Sequence, residues 1–107
     1  MSYLFLDDLR DPDNNQWYVV RNYDSFVDYI LNNDIPLVIS MDHDLGESKD
    51  GYDCIKFLVH FILDNYIMKN EYITLPVVLV HSMNPVGKEN IKKYWDGFVI
   101  NILSGRL

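Results

Sequence analysis

The sequence predicts an α/β fold with a mostly parallel sheet of five strands in a small three-layer, doubly wound arrangement. Strand-like and helix-like segments alternate along most of the chain, which favours a parallel sheet. The segment Pro76–Val80 is apolar without alternation, and this is typical of a strand buried on both faces. The length of 107 residues, with 49% hydrophobic and 23% charged residues, suits one globular domain spanning 1–107.

Five short segments have the apolar and β-branched composition of strands. They are Tyr3–Leu6, Trp17–Val20, Pro36–Met41, Pro76–Val80 and Phe98–Ile100. Residues 7–16, between the first two strands, are rich in Asp and Asn and have no helical periodicity. Because a parallel connection usually contains a helix, the sequence predicts that an extended loop replaces the first helix.

Three segments have helical patterns. The first is capped by Asp24 or Ser25 and ends near Asn32–Asn33, with one apolar face made of Phe26, Tyr29 and Ile30. The second opens at Gly51 and has an apolar stripe at helical spacing: Ile55, Leu58, Val59, Ile62 and Tyr66. The third begins at Asn84–Pro85, because Asn caps helices and Pro suits the first helical position.

Charge and composition exclude several classes of function. Nine basic against sixteen acidic residues give a net charge of −7, which argues against binding of duplex DNA by phosphate neutralisation and against attachment to anionic membranes. No apolar run is long enough to cross a bilayer, and no signal peptide is recognisable. The single cysteine, Cys54, is expected to be a small buried residue and suits a reducing cytoplasm.

Acidic residues and histidines follow three of the predicted strands. The first strand ends in Asp7–Asp8, the third in Asp42–His43–Asp44 and the fourth in His81–Ser82. The carboxyl ends of parallel strands share one sheet edge, where ligands bind in open α/β sheets. Clustered carboxylates repel one another and need a counter-charge, and oxygen donors suit Mg²⁺ or Mn²⁺. The alternative is that each Asp only caps a turn or a helix.

The histidines differ in their surroundings. His43 and His81 lie in the predicted site and are candidate proton carriers, with Asp42 as a third catalytic candidate. His60 lies within the second helix, so a surface or partly buried position is expected. Ser82 is expected to form hydrogen bonds rather than act as a nucleophile.

The start of the third helix is a candidate phosphate-binding segment. Helix N-termini present unpaired N–H groups to anions, Gly87 permits close approach, and Lys88 supplies a cation. Arg10 is the other candidate ligand for an anionic group. The alternative is an ordinary, well-capped helix start.

The double Asp after the first strand, the Asp after the third strand and Asp50–Gly51 at a helix start resemble the phosphoacceptor receiver domains of two-component signalling. The resemblance implies that the first acids hold Mg²⁺ and that Asp42 is phosphorylated. His81 or Ser82 would align with the receivers' Thr or Ser. The chain departs from receivers in two respects: no Lys follows the last predicted strand, and a loop is expected in place of the first helix.

Three longer segments look like a narrower group, the cyclic-phosphate-processing receiver-like domains. They are LFLDDLRDP at Leu4–Pro12, ISMDHDLG at Ile39–Gly46 and VHSMNPVGKENI at Val80–Ile91. The resemblance implies a fold that hydrolyses or binds cyclic phosphates, linked with RNA repair or nucleotide-based immunity. It implies a metal pocket of Asp7, Asp8, Asp42 and Asp44, acid–base or ligand roles for His43 and His81, and a phosphate end shaped by Arg10, Ser82, Asn84 and Asn90.

Three functions follow as hypotheses. The first is a phosphoesterase that uses a divalent metal, Mg²⁺ or Mn²⁺, and acts on a nucleotide or RNA end with a cyclic phosphate. The second is a signalling receiver phosphorylated on Asp42. The third is a non-catalytic module that binds a nucleotide or a partner protein, as a viral anti-defence protein would. The abundance of Asn, Tyr and Ile indicates an AT-rich coding genome, so a viral protein in a host cytoplasm is one expectation.

Overall fold

The computed structural model describes residues 2–107, in which four strands and three helices form an α/β fold. The strands are β1 (Tyr3–Leu6), β2 (Trp17–Val20), β3 (Val38–Met41) and β4 (Val77–Val80). The helices are α1 (Tyr23–Asn32), α2 (Gly51–Ile62), which continues into a π-helical turn over Leu63–Ile67, and α3 (Pro85–Leu103). The sheet order is β2-β1-β3-β4 with every neighbouring pair parallel, which confirms the predicted fold class.

One face of the sheet builds the core. Leu4 and Leu6 of β1 pair in register with Ile39 and Met41 of β3, and all four side chains are fully buried. They belong to one apolar cluster with residues from all three helices: Phe26 and Ile30 of α1, Ile55, Leu58 and Ile62 of α2, and Ile91 of α3. The residues Ile55, Leu58, Val59 and Ile62 of the predicted α2 stripe therefore belong to this core, whereas Tyr66 lies in the π-helical turn and is not part of the cluster. Cys54 lies in the same core, as predicted, and His60 is exposed.

The three helices lie on one side of the sheet, so the domain has two layers and the predicted third layer is wrong. The crossovers through α1 and α2 run in the same direction across the sheet, and right-handed crossovers place both helices on the same face. Helix α3 packs against α2. A sheet covered on both faces was predicted because β4 is apolar without alternation. β4 is instead an edge strand, on which Val77 and Leu79 are 56% and 49% exposed.

The predicted fifth strand, Phe98–Ile100, is wrong because this segment lies within helix α3. Ile91, Trp95 and Phe98 are spaced by four and three residues, and all three side chains are buried. That helical stripe prevails over the local β propensity of Val99–Ile100. The sheet therefore ends at β4.

The connection from β1 to β2 is a loop, as predicted. Strands β1 and β2 are parallel, and residues 7–16 contain no helix. Because β2 lies on the opposite side of β1 from β3, a right-handed connection places this loop on the face away from the helices. The loop therefore borders the open side of the sheet.

The helix starts explain how the loops at the sheet edge are held. Asn22 caps α1, so the predicted caps Asp24 and Ser25 are corrected, although Ser25 returns the hydrogen bond as the third helical residue. Asp50 caps α2, and Asn84 caps α3 with Pro85 at its first position, as predicted for α3. No helix within residues 2–107 combines the length and apolar character required to cross a bilayer.

Candidate functional site

Three polar residues follow three strands at the carboxyl edge of the sheet. The sheet hydrogen bonding continues one residue past the strands, from Asp42 N to Leu6 O at 2.9 Å and from His81 N to Met41 O at 3.0 Å. Asp7 N likewise bonds to Val20 O at 3.2 Å. Because the backbone stays in register, Asp7, Asp42 and His81 bring one potential ligand atom each within 4.8 Å of one another.

Asp7 is the most buried of these groups, with 1% of its surface exposed. Its Oδ1 accepts the backbone N–H groups of Leu9 at 2.9 Å and Arg10 at 2.8 Å. Its Oδ2 accepts Arg10 Nε and His81 Nε2, each at 3.0 Å. Burial acts to raise the pKa of Asp7, but these hydrogen bonds and the Arg10 charge outweigh it, so the pKa is lowered. Asp7 is thus held as a carboxylate.

Arg10 links the acidic residues to one another. Besides contacting Asp7, its Nη2 lies 3.8 Å from Asp42 Oδ2 and donates to the carbonyl of His81 at 3.1 Å. Arg10 is half-exposed, so part of the guanidinium faces solvent. It supplies the counter-charge that the clustered carboxylates require.

Arg21 holds the loop that carries Arg10, a role that the sequence reasoning missed. Its Nη1 donates to the carbonyl oxygens of Asp7 at 3.2 Å and Arg10 at 2.7 Å, and its Nη2 pairs with Asp11. The available signal was its position directly after β2, at the same sheet edge as Asp7. In a helix, these two carbonyl oxygens would accept backbone N–H groups. In this loop the Arg21 guanidinium donates to them instead.

His81 is oriented by three neighbours. Its Nε2 contacts Asp7, its Nδ1 lies 2.7 Å from Ser40 Oγ, and its ring stacks on Phe5 at 4.5 Å with 6° between the planes. With Nε2–H donating to Asp7, Nδ1 accepts the hydroxyl proton of buried Ser40. Sequence reasoning missed Ser40, whose signal was a polar residue within an otherwise apolar strand, two positions before Asp42.

The four predicted acidic residues line one cleft. Asp8 and Asp44 extend the cluster outward from Asp7 and Asp42, and Arg10, Leu9, Gly46 and Met83 complete the walls. Gly46 adopts a positive φ of 68°, and a side chain there would approach Asp8 Oδ2 at 3.1 Å. Four carboxylates and one guanidinium give the cleft, called here the acidic cleft, a net negative lining.

Comparison with protein families matches residues 2–97 to the model described as the cyclic-phosphate processing receiver domain. The chain belongs to this family. The matched region includes all four strands and the acidic cleft, and it confirms the resemblance indicated by the three sequence segments. Comparisons with curated proteins and with solved structures gave no match.

In this receiver domain the two candidate histidines occupy different places. His43 Nδ1 lies 2.9 Å from Asp44 Oδ1 and its Nε2 lies 3.5 Å from Asp50 Oδ2. The hydrogen bond from His43 is the main cause of a lowered pKa at Asp44. The His43 ring packs against Gly87, where a Cβ would overlap it. His43 therefore ties the starts of α2 and α3 to the cleft rim, whereas His81 belongs to the acidic cluster.

The predicted phosphate residues before α3 are engaged in the helix start. Asn84 Oδ1 accepts the N–H of Gly87 at 3.0 Å, and its amide lies 3.4 Å from Asp44 Oδ2. Ser82 Oγ accepts the N–H of Asn84 at 3.0 Å. Lys88 and Asn90 are exposed on α3 and are not among the residues that line the acidic cleft. Arg10 is therefore the predicted phosphate ligand that the fold brings to the acidic residues.

The oxygen donors of the acidic cleft fit a hard divalent cation. Hydrogen bonds occupy the acceptor positions of Asp7, but Asp8, Asp42 and Asp44 retain acceptor capacity toward the cleft. Carboxylate oxygens in this number are typical of Mg²⁺ and Mn²⁺ sites. Within residues 2–107, Asp7, Asp42 and His81 are the one group of three whose ligand atoms lie within 4.8 Å of one another. A cation bound between Asp7 and Asp42 would displace one of the hydrogen bonds on Asp7, and Asp8 and Asp44 line the cleft beside it.

Proposed function

We propose that this receiver domain is a metal-dependent phosphoesterase that opens a cyclic phosphate on a nucleotide or an RNA end. The observation that supports it is the meeting of four carboxylates and Arg10 in the acidic cleft, with His81 in contact with Asp7 beside that cleft. The family description, cyclic-phosphate processing, names the same class of substrate. The residues then take the following roles.

Arg10 binds the phosphoryl oxygens. Its guanidinium is held through Nε by Asp7 and through Nη2 by the His81 carbonyl. A phosphate would accept from Nη1 and, on displacing Asp42, from Nη2, in the fork geometry that suits phosphate. The approaching phosphate competes with Asp42 for Arg10, since those two groups are 3.8 Å apart. Charge that develops on the phosphoryl group is stabilised by the same guanidinium.

Asp7, Asp8, Asp42 and Asp44 would hold the divalent cation in the acidic cleft, where one ligand oxygen each of Asp7 and Asp42 lies within 4.8 Å of the other. When bound, Mg²⁺ or Mn²⁺ neutralises phosphoryl charge and lowers the pKa of a water molecule that serves as nucleophile. Asp42 would accept a proton from the attacking water molecule as the oxygen of that water bonds to phosphorus. One ring P–O bond breaks, which leaves a phosphomonoester.

His81 supplies the proton to the leaving oxygen. Its Nε2 faces Asp7 in the acidic cluster, while Ser40 and Phe5 fix the ring. Because the same Nε2 contacts Asp7, it must leave Asp7 to reach the ester oxygen, so Asp7 positions the ring before the proton is transferred. Asp7, Ser40 and Phe5 therefore orient His81 from the buried side of the site, and the substrate binds on the solvent-exposed side.

A second candidate function is a binding module that holds a cyclic nucleotide or a partner protein without turnover. The observation that favours it is the complete hydrogen bonding of Asp7 and of both His81 nitrogens within the protein. Catalysis requires His81 Nε2 to turn from Asp7 to the ester, whereas binding to Arg10 alone does not.

Turnover of nucleoside 2′,3′-cyclic monophosphates tests the proposal. With Mn²⁺ we expect phosphomonoester formation that stops on chelation. Asp42→Asn and His81→Ala are each expected to lower kcat by about 10²–10⁴-fold, the contribution typical of a general acid or base. Asp96→Asn and His60→Ala make the same chemical changes at exposed helical positions and should retain activity.

The outcomes separate the candidates. Unchanged turnover in both Asp42→Asn and His81→Ala contradicts the proposed catalytic roles. Tight binding without product, with or without Mn²⁺, favours the binding module. Labelling of Asp42 by acetyl phosphate, read by mass spectrometry, would instead support a phosphorylated signalling receiver.

A further inference from the structure

A second cleft lies beside the acidic cleft on the open face of the sheet. It has a volume of about 450 Å³ and is lined by Phe5, Trp17, His81, Arg10 and the loop residues Asp11, Pro12, Asp13 and Asn14. We call it the aromatic cleft. Arg10 lines both clefts, and His81 lines the aromatic cleft while its Nε2 contacts Asp7. The two clefts are therefore continuous at Arg10.

The rings in the aromatic cleft form a row across the sheet. Phe5 contacts Trp17 edge to face at 5.9 Å and stacks on His81 at 4.5 Å. Phe5 and His81 reach each other across β3 because the intervening residue is the small Ser40, which also hydrogen-bonds His81. Tyr3 packs edgewise on Trp17 at 5.4 Å and fixes its orientation. The row is thus assembled before any ligand arrives.

The loop between β1 and β2 explains why this row is accessible. A helical connection here would pack on the sheet face that holds Phe5 and Trp17 and would cover the rings. The extended loop instead forms a polar wall beside them, so Trp17 remains only partly buried. The loop that replaces a helical crossover thereby leaves a cleft lined by aromatic rings, with polar loop residues at its margin and Arg10 at the boundary with the acidic cleft.

We propose that the aromatic cleft binds the nucleobase of the ligand whose cyclic phosphate is held at Arg10. This inference rests on the proposed function and adds where the base of the nucleotide lies and that Trp17, Phe5 and the loop between β1 and β2 contribute to recognising it. Trp17 is the main stacking surface, because Phe5 is nearly covered by its neighbours. Stacking on such rings tolerates different bases, since every base has a π face.

The test compares two probes that differ only in the base. One is a nucleoside 2′,3′-cyclic monophosphate and the other is ribose 2,3-cyclic phosphate, each titrated calorimetrically into the full chain. We expect the nucleotide to bind at least about tenfold more tightly, as one base–aromatic stack provides. Trp17→Leu should remove that difference and leave the affinity for the base-free probe unchanged. Arg10→Gln should weaken the binding of both probes.

Fluorescence gives a reading that does not depend on turnover. The other tryptophan, Trp95, is buried in the core, so quenching by the nucleotide should disappear in Trp17→Leu. Tyr72→Leu, which alters an aromatic residue that is 89% exposed elsewhere, is the control and should bind as the original chain does. Trp17→Phe keeps a ring and should recover part of the affinity, which separates stacking from a loss of folding.

The results also distinguish this inference from the proposed function. Equal affinity for the two probes overturns the base-binding role and leaves the phosphoesterase proposal intact. Failure of both probes to bind overturns both. If Trp17→Leu changes only the sedimentation of the chain and not nucleotide affinity, the open face joins two copies, and the inference is wrong.

Discussion

At the scale of single residues, Gly87 shows how closely the start of α3 approaches the site. A Cβ at this position would overlap the ring of His43, which contacts Asp44 at the rim of the acidic cleft. The overlap involves ring atoms held by Asp44 and Asp50, so the ring cannot easily move away. Gly87 is thus required for the packing between the helix and the loop.

Gly87→Ala is expected to lower the free energy of unfolding by about 1–3 kcal/mol, the usual cost of overpacking. Gly97→Ala in the same helix is the matched control, because a Cβ there meets nothing within 4 Å. It should raise stability by up to about 1 kcal/mol, since Ala favours helices over Gly. Urea unfolding of both variants checks this, and equal effects of the same sign would contradict the role assigned to Gly87.

Asp7 makes stability depend on pH. Its pKa is lowered from an ordinary value of 3.8, so folding favours the ionised form. Because the pKa of Asp7 is lower in the folded state, the stabilising contribution of its charge is fully present above pH 3.8. It is lost as the pH falls through the folded-state pKa. Asp7→Asn should therefore be less stable than the original chain at pH 7, and the difference in stability between the two should become smaller below pH 3.8.

Thermal unfolding of metal-free protein across this range measures the effect. Asp96→Asn changes an exposed position in α3, and its difference in stability from the original chain should not become smaller below pH 3.8. A difference between Asp7→Asn and the original chain that stays constant with pH would contradict the role of the Asp7 charge.

At the scale of elements, the loop over residues 7–16 depends on Arg21. The two carbonyl groups that Arg21 binds belong to Asp7 and Arg10, and the N–H of Arg10 in turn binds Asp7 Oδ1. Loss of one charged hydrogen bond costs about 1.5 kcal/mol or more, which corresponds to about a tenfold change in local opening. Arg21→Ala should therefore speed amide exchange at Leu9 and Arg10 by about tenfold.

Hydrogen exchange read by NMR checks the prediction for Arg21. Arg106→Ala, near the end of the described chain and outside the site, is the control and should leave both amides unchanged. Slower phosphate-probe binding with normal exchange would show that Arg21 does not act by holding the loop.

Predictability from sequence also differs by element. The ends of β1, β3 and β4 were predictable, because Asp7, Asp42 and His81 each interrupt an apolar run, and parallel strands bring such interruptions to one edge. The direction of the His43 side chain was not predictable, since it depends on the contact with Gly87 at the start of α3, which is remote in sequence. Phe98–Ile100 was mistaken for a strand because three β-prone residues conceal a helical stripe that begins at Ile91.

At the scale of the whole molecule, the missing first helix links several features. Without it the sheet has one covered face and one open face, and the acidic and aromatic clefts meet on the open side at Arg10. The sequence predicted a loop over residues 7–16. It did not predict that one face of the sheet would be left open, because whether helices cover a face depends on all the connections between the strands. Ser40 and Phe5 acquire their roles only through this arrangement.

The net charge of −7 is partly concentrated in the acidic cleft, which gives a prediction for the folded chain as a whole. A divalent cation that binds only the folded protein stabilises it by about 2.7 kcal/mol at a hundred times its Kd. Mn²⁺ at that concentration should therefore raise the unfolding temperature by about 10 °C, and chelation should reverse the increase. Because like charges in the cleft repel, Asp42→Asn should reduce this shift strongly, and Asp8→Asn and Asp44→Asn should reduce it in part.

Calorimetry at constant ionic strength separates a specific site from general screening of the acidic surface. Asp96→Asn removes the same charge from an exposed helical position and should keep the full Mn²⁺ shift. An equal shift in Asp42→Asn and Asp96→Asn would assign the effect to surface screening. If Mn²⁺ does not shift the unfolding temperature of the original chain, Arg10 alone balances the negative charge of the carboxylates. Cyclic phosphates would then bind without a metal.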